Sequence, residues 1–132
     1  MKRFFVSVVA VVLVLFGLAT APAYAFNQAS LTELQSTNKC KDCDLTNADL
    51  TGANLMGADL ERANLTGANL TGANLTNADL EKANLGTANL SQANLMGADL
   101  EKADLMGADL TNANLMGASL EKVTMPDGSK HA

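Results

Sequence analysis

Cys40 and Cys43, in the sequence Cys-Lys-Asp-Cys, have the residue type and spacing that could most directly carry chemistry. Such a pair can form a redox dithiol, contribute to a zinc site or close a structural disulfide. A thioredoxin-like dithiol would need a strand leading into a helix, which the neighbouring sequence does not provide. Zinc would need two further ligands, but the only histidine, His131, lies at the far end of the chain. An oxidising compartment favours a disulfide, with free buried thiols as the alternative.

Charged residues that recur every twenty positions form a second set of candidates. They are the pairs Glu61-Arg62, Glu81-Lys82, Glu101-Lys102 and Glu121-Lys122, and the single residues Asp59, Asp79 and Asp99. Carboxylate oxygens are the ligands that hard cations prefer, so a cation site is one interpretation of these columns. The interleaved basic side chains favour a self-neutralised, solubilising face instead. The sequence therefore predicts no metal ion and no other cofactor.

Methionines recur at the same interval and form a third set. Met56, Met96 and Met116, which we call the methionine stripe, share one phase of the twenty-residue period, and Thr76 fills the gap. A column of asparagines runs beside them: Asn54, Asn74, Asn94 and Asn114. Adaptable methionines in an exposed row suit a protein-binding surface, which makes both columns a candidate interaction site for an unknown protein partner. Alternatively, the slot tolerates any residue and the methionines reflect duplication of the repeat.

The sequence contains no constellation that would support an enzyme. A nucleophile needs a base within hydrogen-bond reach. The only histidine, His131, is in the C-terminal tail, and Ser91 and the threonines have no base beside them. We therefore predict that the chain is not an enzyme and has no catalytic or cofactor-binding residues.

A five-residue repeat of the form Ala-(Asn/Asp)-Leu-x-x must position all these side chains. It continues from Cys43 for seventeen units, of which the last is degenerate, with Val123 and Met125 in the Ala and Leu slots. A period of five matches neither an α-helix nor a plain strand. Within a unit, however, Ala and Leu are two residues apart and point to the same side of an extended backbone. The final position is Gly in seven units and Asn in three, as a turn with positive φ requires.

The twenty-residue period of the charged pairs sets the number of corners in one coil. Four units make twenty residues, so the cross-section is predicted to be roughly square. Residues twenty apart then stack at about 4.8 Å, and seventeen units form a rod on the order of 20 Å long.

The repeat resembles the A(D/N)LXX motif of the pentapeptide-repeat family from Cys43 to Asp127. This resemblance implies an all-β fold, a right-handed quadrilateral β-helix with the Leu and Ala side chains inside. A Leu-x-x-Leu segment before the repeats, two cysteines and a Met-Pro-Asp-Gly ending make the chain look most like exported cyanobacterial members, lumenal or periplasmic.

The sequence predicts four segments: a signal peptide at 1–25, an N-terminal cap at 26–42, the repeat β-helix at 43–127 and a loose tail at 128–132. Ser30 to Glu33 matches a capping box and predicts a short helix from about Leu31 to Ser36. Leu31 and Leu34 would cover the open end of the coil. Because no long dimerisation helix follows the repeats, we predict a monomer.

The first 25 residues have the form of a secretory signal peptide. Lys2 and Arg3 precede an apolar run of fifteen residues, Phe4 to Leu18, in which Ser7 is the one polar member, and Ala23 to Ala25 has the small-x-small form of a cleavage site. Fifteen apolar residues fall short of the roughly twenty that a membrane-spanning helix needs. Cleavage after Ala25 is therefore predicted, with no stable membrane insertion afterwards, and export to the thylakoid lumen or periplasm.

The net charge and the predicted compartment limit the classes of function that the sequence supports. The net charge is −5, and loss of Lys2 and Arg3 makes the mature chain more acidic, so nucleic-acid binding is not expected. The leading hypothesis is a non-enzymatic scaffold or protein-interaction module of an exported compartment. The alternative is a DNA-mimic inhibitor or protector of a nucleic-acid enzyme, as the resemblance to gyrase-protecting family members implies. Export and the regular cations argue against that alternative.

Overall fold

The structure, a computed structural model, describes residues 27–132. The predicted signal peptide therefore lies outside the described residues. The described part contains one α-helix, α1, at Gln28–Thr37, followed by a ladder of single β-bridges that begins at Lys39. Within residues 27–132, no helix is long and apolar enough to cross a bilayer.

The ladder joins residues that are twenty apart in the sequence. Its parallel bridges extend from Lys39↔Asp59 to Asp104↔Thr124, one residue from each short extended segment. Backbone hydrogen bonds hold neighbouring coils together: the Leu55 N–H donates to the Asn74 carbonyl at 2.8 Å, for example. The structure therefore confirms the predicted β-helix with a twenty-residue coil of four sides. The ladder begins at Lys39, within the segment that the sequence assigned to the cap.

Every corner from Asp42 to Lys122 has the same backbone pattern. The second corner residue has a φ between +55° and +71° in all seventeen corners, whether or not it is glycine. At Thr51 and Gly52, a hydrogen bond from the Ala53 N–H to the Leu50 carbonyl at 3.0 Å closes the turn. A Cβ atom would have its closest contact at Gly67, where it would lie 2.3 Å from the Asn47 Oδ1 atom of the coil before it, so the Asn47 side chain would have to move.

The Asn or Asp of each unit stabilises the corner that follows it. Its side-chain oxygen accepts the N–H of the first corner residue, as Asp49 Oδ1 does from Thr51 at 3.1 Å. The threonine hydroxyl donates to the same oxygen at 2.7 Å. Equivalent bonds from Thr46 lower the pKa of Asp44, because they stabilise its charged form. A short polar side chain is therefore needed at this slot for the turn.

The interior is a stack of leucines and alanines. Leucines of this stack from Leu45 to Leu105 have no measurable exposure, and Leu31 and Leu34 of α1 are 1% exposed in the same cluster. Each buried leucine contributes roughly 1.5–3 kcal/mol, so the repeated Leu slot supplies most of the apolar stabilisation.

The capping-box prediction was wrong about where α1 begins. The helix starts three residues earlier, because Asn27 is the N-cap and its side chain accepts the Ala29 N–H at 2.9 Å. Asparagine caps a helix as well as serine does. Ser30 instead lies inside the helix and is buried. The helix ends at Asn38, whose left-handed backbone (φ 60°) lets its N–H donate to the Leu34 carbonyl.

The prediction of a loose tail was also wrong. Lys130 forms an antiparallel bridge with Thr124, and the His131 N–H donates to the Val123 carbonyl at 2.8 Å. We call residues 123–131 the C-terminal hairpin. Its turn is stable because Asp127 Oδ1 accepts the Ser129 N–H at 2.9 Å and Gly128 supplies a φ of +83°. The hairpin covers one side of the last coil, so Val123 is fully buried.

Candidate functional site

The methionine stripe lies on one outer corner column of the rod. Met56, Met96 and Met116 are 51%, 38% and 67% exposed, which is high for large apolar side chains. Thr76, in the same column, is only 5% exposed. Because coils repeat at about 4.8 Å, Thr76 lies between the methionines of the neighbouring coils, and its low exposure shows that other atoms cover it. The column therefore presents exposed methionines on both sides of a covered threonine.

The asparagine column beside the stripe is a hydrogen-bonded ladder. Asn114 Nδ2 donates to Asn94 Oδ1 at 3.1 Å, and Asn74 Nδ2 donates to Asn54 Oδ1 at 3.4 Å. These bonds tie consecutive coils together through side chains. The ladder forms the polar border of the stripe. The methionines bond to it through their backbone N–H groups, as Met116 does to Asn114 Oδ1 at 3.1 Å, which leaves their thioether side chains available for contact with a partner.

Thr76 completes the ladder at the one step that asparagines do not bridge directly. Its hydroxyl donates to Asn74 Oδ1 at 2.6 Å and accepts from Asn94 Nδ2 at 3.0 Å. From the sequence, Thr76 is only a gap in the methionine stripe, and this role in the ladder is not predicted. A threonine in a slot that is otherwise methionine was the available signal.

Met106 is a further exposed methionine, which was not among the predicted site residues. It is 54% exposed, but its place in the twenty-residue period puts it two units away from the stripe, at the diagonally opposite corner. Met106 therefore does not extend the stripe.

The charged columns form a second distinctive surface, which we call the ionic face. At its N-terminal end, Arg62 donates to both carboxylate oxygens of Asp42, at 2.6 and 2.8 Å, and Lys41 pairs with Glu61. Both pairs cross from one coil to the next. The order Lys41-Asp42 is the reverse of the later Glu-Lys pairs, so opposite charges stack. The twenty-residue period of the Glu-Arg and Glu-Lys pairs did not predict this reversal. The Arg62 hydrogen bonds hold the pKa of Asp42 below its usual range.

In later coils the shortest ion pairs join residues adjacent in sequence, and Lys102 also lies 3.8 Å from Glu81 of the coil before it. Lys82 donates to Glu81 at 2.6 Å, and Lys122 donates to Glu121 at the same distance. The Lys82 and Lys122 bonds lower the pKa of Glu81 and of Glu121. The four Glu residues of the period therefore each have a basic partner, as the self-neutralised interpretation of this face predicts.

One group of carboxylates lies close enough to be considered for a cation. Oxygens of Asp59, Glu61 and Asp79 lie within 4.8 Å of one another. Glu61, however, already pairs with Lys41 and Arg62. A cluster of acidic side chains whose central member has basic partners does not by itself define a cation site.

Cys40 and Cys43 form a disulfide directly beneath α1. Their Cα atoms are 5.2 Å apart, and the residues are 0% and 8% exposed. The Cys40 Sγ atom lies 3.1 Å from the Ser30 carbonyl oxygen of the helix. Within residues 27–132, no cysteine is free. The disulfide bridges the corner at Lys41 and Asp42 beneath the helix, and its burial shields it from reaction with a soluble partner.

Comparison with known protein families agrees with the five-residue repeat seen in the sequence and the structure. A family model described as pentapeptide repeats matches residues 39–77, 73–112 and 83–121, with eight copies. No curated protein sequence matches the chain at a significant level.

Solved structures with the same repeat are similar to this chain. A pentapeptide repeat protein from the Arabidopsis thaliana thylakoid lumen is 30% identical over 70% of this chain, with a TM-score of 0.66. The chain spans 65% of that protein's length. A pentapeptide repeat protein from the cyanobacterium Cyanothece 51142 is 25% identical over 79% of this chain and 98% of its own, with a TM-score of 0.57.

Similarity to a plasmid-mediated fluoroquinolone resistance protein is much weaker. That protein is 21% identical over 66% of this chain and 60% of its own, with a TM-score of 0.34. A likeness at this level supports no argument about function.

Proposed function

This chain belongs to the pentapeptide-repeat family, and from that premise we propose that it is a protein-interaction module of an exported compartment, the thylakoid lumen or the periplasm. Proteins of this family are generally structural or protein-binding rather than enzymatic, and the related solved structures imply a right-handed winding. The chain is proposed to work as a single rod that holds a binding surface in a fixed shape.

The methionine stripe is the proposed contact surface. The observation that carries this proposal is the exposure of Met56, Met96 and Met116 beside a ladder whose amides bond to one another. A partner can bury the thioethers without breaking any protein hydrogen bond, and burial of apolar surface is favourable by about 25 cal/mol per Å². Methionine also adapts its shape to an irregular partner.

Three observations support export. The predicted signal peptide at 1–25 points to it, and a similar structure comes from a thylakoid lumen. A disulfide between Cys40 and Cys43 is typical of an oxidising compartment. A DNA-mimic role is less well supported, because basic side chains neutralise the glutamates of the ionic face.

The test is capture of the partner by the mature chain, residues 26–132, with a photo-crosslinker beside the stripe, in exported soluble and membrane fractions of the host. Met56, Met96 and Met116 are changed together to threonine, the residue that already occupies position 76 of this column. We expect capture of a reproducible partner to fall by about tenfold or more, because the partner loses its apolar contact.

Met106→Thr is the matched control, since Met106 is equally exposed at the diagonally opposite corner. It should leave capture unchanged. Equal capture by the triple variant and the parent chain would exclude the stripe as the contact. Equal loss in the triple variant and in Met106→Thr would indicate nonspecific adhesion of exposed methionines.

A further inference from the structure

The last coil of the rod has an open backbone edge on three of its four sides. In earlier coils, the Leu N–H and the second corner N–H donate to the next coil, as Leu95 does to the Asn114 carbonyl at 2.8 Å. Within residues 27–132, the corresponding six donors of the last coil have no partner: Leu110, Asn112, Leu115, Gly117, Leu120 and Lys122. The carbonyls of Ala108, Ala113 and Ala118 are likewise unpaired in this part of the chain.

The same edge exposes apolar side chains. Leu110, Leu115 and Leu120 are only partly buried, whereas the equivalent leucines of the coils above them are completely covered. Proteins usually protect a strand edge with charges, proline or a covering element, because it readily pairs with another chain. On these three sides no covering element is present among the described residues, so the edge combines free hydrogen-bond donors with apolar surface.

The fourth side shows what kind of element fits this edge. There Ser129 to His131 lies over Val123 and Met125 as an extended antiparallel segment. The Met125 N–H donates to the Ser129 carbonyl at 2.7 Å, and the His131 N–H donates to the Val123 carbonyl at 2.8 Å. An extended strand therefore satisfies the edge groups and buries the side chain beneath them.

The C-terminal hairpin also argues against a second rod as the occupant. Its strand occupies the position of a further coil on one side only, so it projects about 4.8 Å beyond the other three sides. Two such ends cannot pair on all four sides at once, because the projecting hairpins keep at least two of the open sides of each rod apart. A narrow segment does not have this conflict.

We propose that the open edge of the last coil binds an extended segment of a partner polypeptide, which adds antiparallel and continues the path of the C-terminal hairpin. The segment would have apolar residues two apart facing Leu110, Leu115 and Leu120, and polar residues between them. Five residues would cover one side. This strand-addition site is separate from the methionine stripe and adds a second mode of recognition.

The probe for the test is a synthetic peptide with the sequence of residues 93–107, which has the required Ala-x-Leu spacing in three units. Amide hydrogen exchange of the isotopically labelled mature chain is measured by NMR with and without the peptide. We expect exchange of the Leu110, Leu115 and Leu120 amides to slow by about tenfold or more, because each gains an acceptor as Met125 does in the hairpin. The Ala113 and Ala118 amides, which already donate within their turns, should change little.

Orientation and specificity are tested with modified peptides and variants. A spin label at the peptide N-terminus should broaden signals near Lys122 if the segment is antiparallel, and signals near Leu110 if it is parallel. A peptide with proline at positions 95, 100 and 105 should give no protection, because the third residue of each triplet is the donor in this pairing, as His131 is in the hairpin, and proline lacks the N–H group. Leu115→Ala should weaken binding, whereas Met56→Thr/Met96→Thr should not.

Two results would overturn the proposal. Unchanged exchange of the edge amides at millimolar peptide would show that the edge does not accept a strand. Protection of the same amides by the protein's own association, without peptide, would identify a second copy as the occupant. The methionine variants keep this test independent of the proposed function, because either site can fail while the other binds.

Discussion

The two ends of the rod differ although the repeat between them is uniform. At the N-terminal end, α1 covers the bore with Leu31 and Leu34, and a disulfide lies beneath it. At the C-terminal end the hairpin covers one side, and Leu115 remains partly exposed. In a stack where each coil contacts only its neighbours, the same leucine slot is worth more when another layer lies over it. The comparison indicates that the local stability depends on whether another layer covers the leucine slot, since the residue type is the same at both ends.

The largest expected effect comes from the same substitution at the two ends. Leu45→Ala should lower the free energy of unfolding by about 2–5 kcal/mol, because Leu45 is fully buried under α1 and its loss leaves a cavity. Leu115→Ala should cost about 1 kcal/mol, since the side chain keeps part of its exposure to water in the folded protein. Urea unfolding of both variants and the parent chain measures the difference.

Leu75→Ala, in the middle of the rod, is the internal control for this pair and should behave like Leu45→Ala. Equal losses for Leu45→Ala and Leu115→Ala would contradict the comparison. That result would mean that the C-terminal edge is covered in solution.

An intermediate effect is expected from removal of the disulfide. Cys40→Ala/Cys43→Ala should lower the free energy of unfolding by about 2 kcal/mol, the value expected for release of a four-residue loop in the unfolded chain. The helix amides of Leu31 and Leu34 should exchange faster, because their support is loosened. Hydrogen exchange and urea unfolding measure both effects.

The control for the cysteine variant is the far end of the rod. Amides near Leu105 should exchange at the same rate in the variant and the parent chain. Faster exchange along the whole rod would show that the disulfide stabilises the entire stack rather than its N-terminal end.

The smallest effect concerns the ion pairs of the two ends. The Arg62 bonds lower the pKa of Asp42 in the folded protein. The ionised Asp42 side chain therefore stabilises the fold fully at pH values above its pKa in the unfolded chain. This stabilisation is lost as the pH falls through the lower pKa of the folded protein. Stability should therefore fall below about pH 4, and Asp42→Asn should flatten that fall. Glu121→Gln should flatten it less, because Lys122 is adjacent in sequence and part of that pairing persists in the unfolded chain.

Urea unfolding at several pH values, at low and high salt, measures this difference. An equal flattening by Asp42→Asn and Glu121→Gln would contradict the distinction between pairs that cross coils and pairs within one coil.

Most of the fold was predictable because the same five-residue pattern, and therefore the same local conformation, occurs many times along the chain. The Ala-x-Leu spacing fixed which side chains face inward, and the charged pairs at 61, 81, 101 and 121 fixed the four-sided coil, as the bridges confirm. The start of α1 was misplaced because Asn27 and Ser30 are both good N-cap residues, and only packing of Leu31 and Leu34 against the first coil distinguishes them.

For the candidate surfaces, the sequence predicted which residues share a column. It did not predict the hydrogen bonds and ion pairs that their side chains form. Thr76 in the ladder and the bonds between Asp42 and Arg62 depend on side-chain conformations in two different coils. The C-terminal hairpin was missed for a similar reason, since residues 128–132 have no apolar period to predict their pairing with Val123.

The sequence alone determined the coil, the inward Leu and Ala, and the columns of Met, Asn and charge, because a short period without insertions repeats one local conformation. The tertiary structure decided how the stack ends: α1 closes one end, and a hairpin covers a single side of the other. The physical reason is that a repeat specifies only the contact between one coil and the next. At an end the next coil is missing, so what lies there depends on residues outside the repeat.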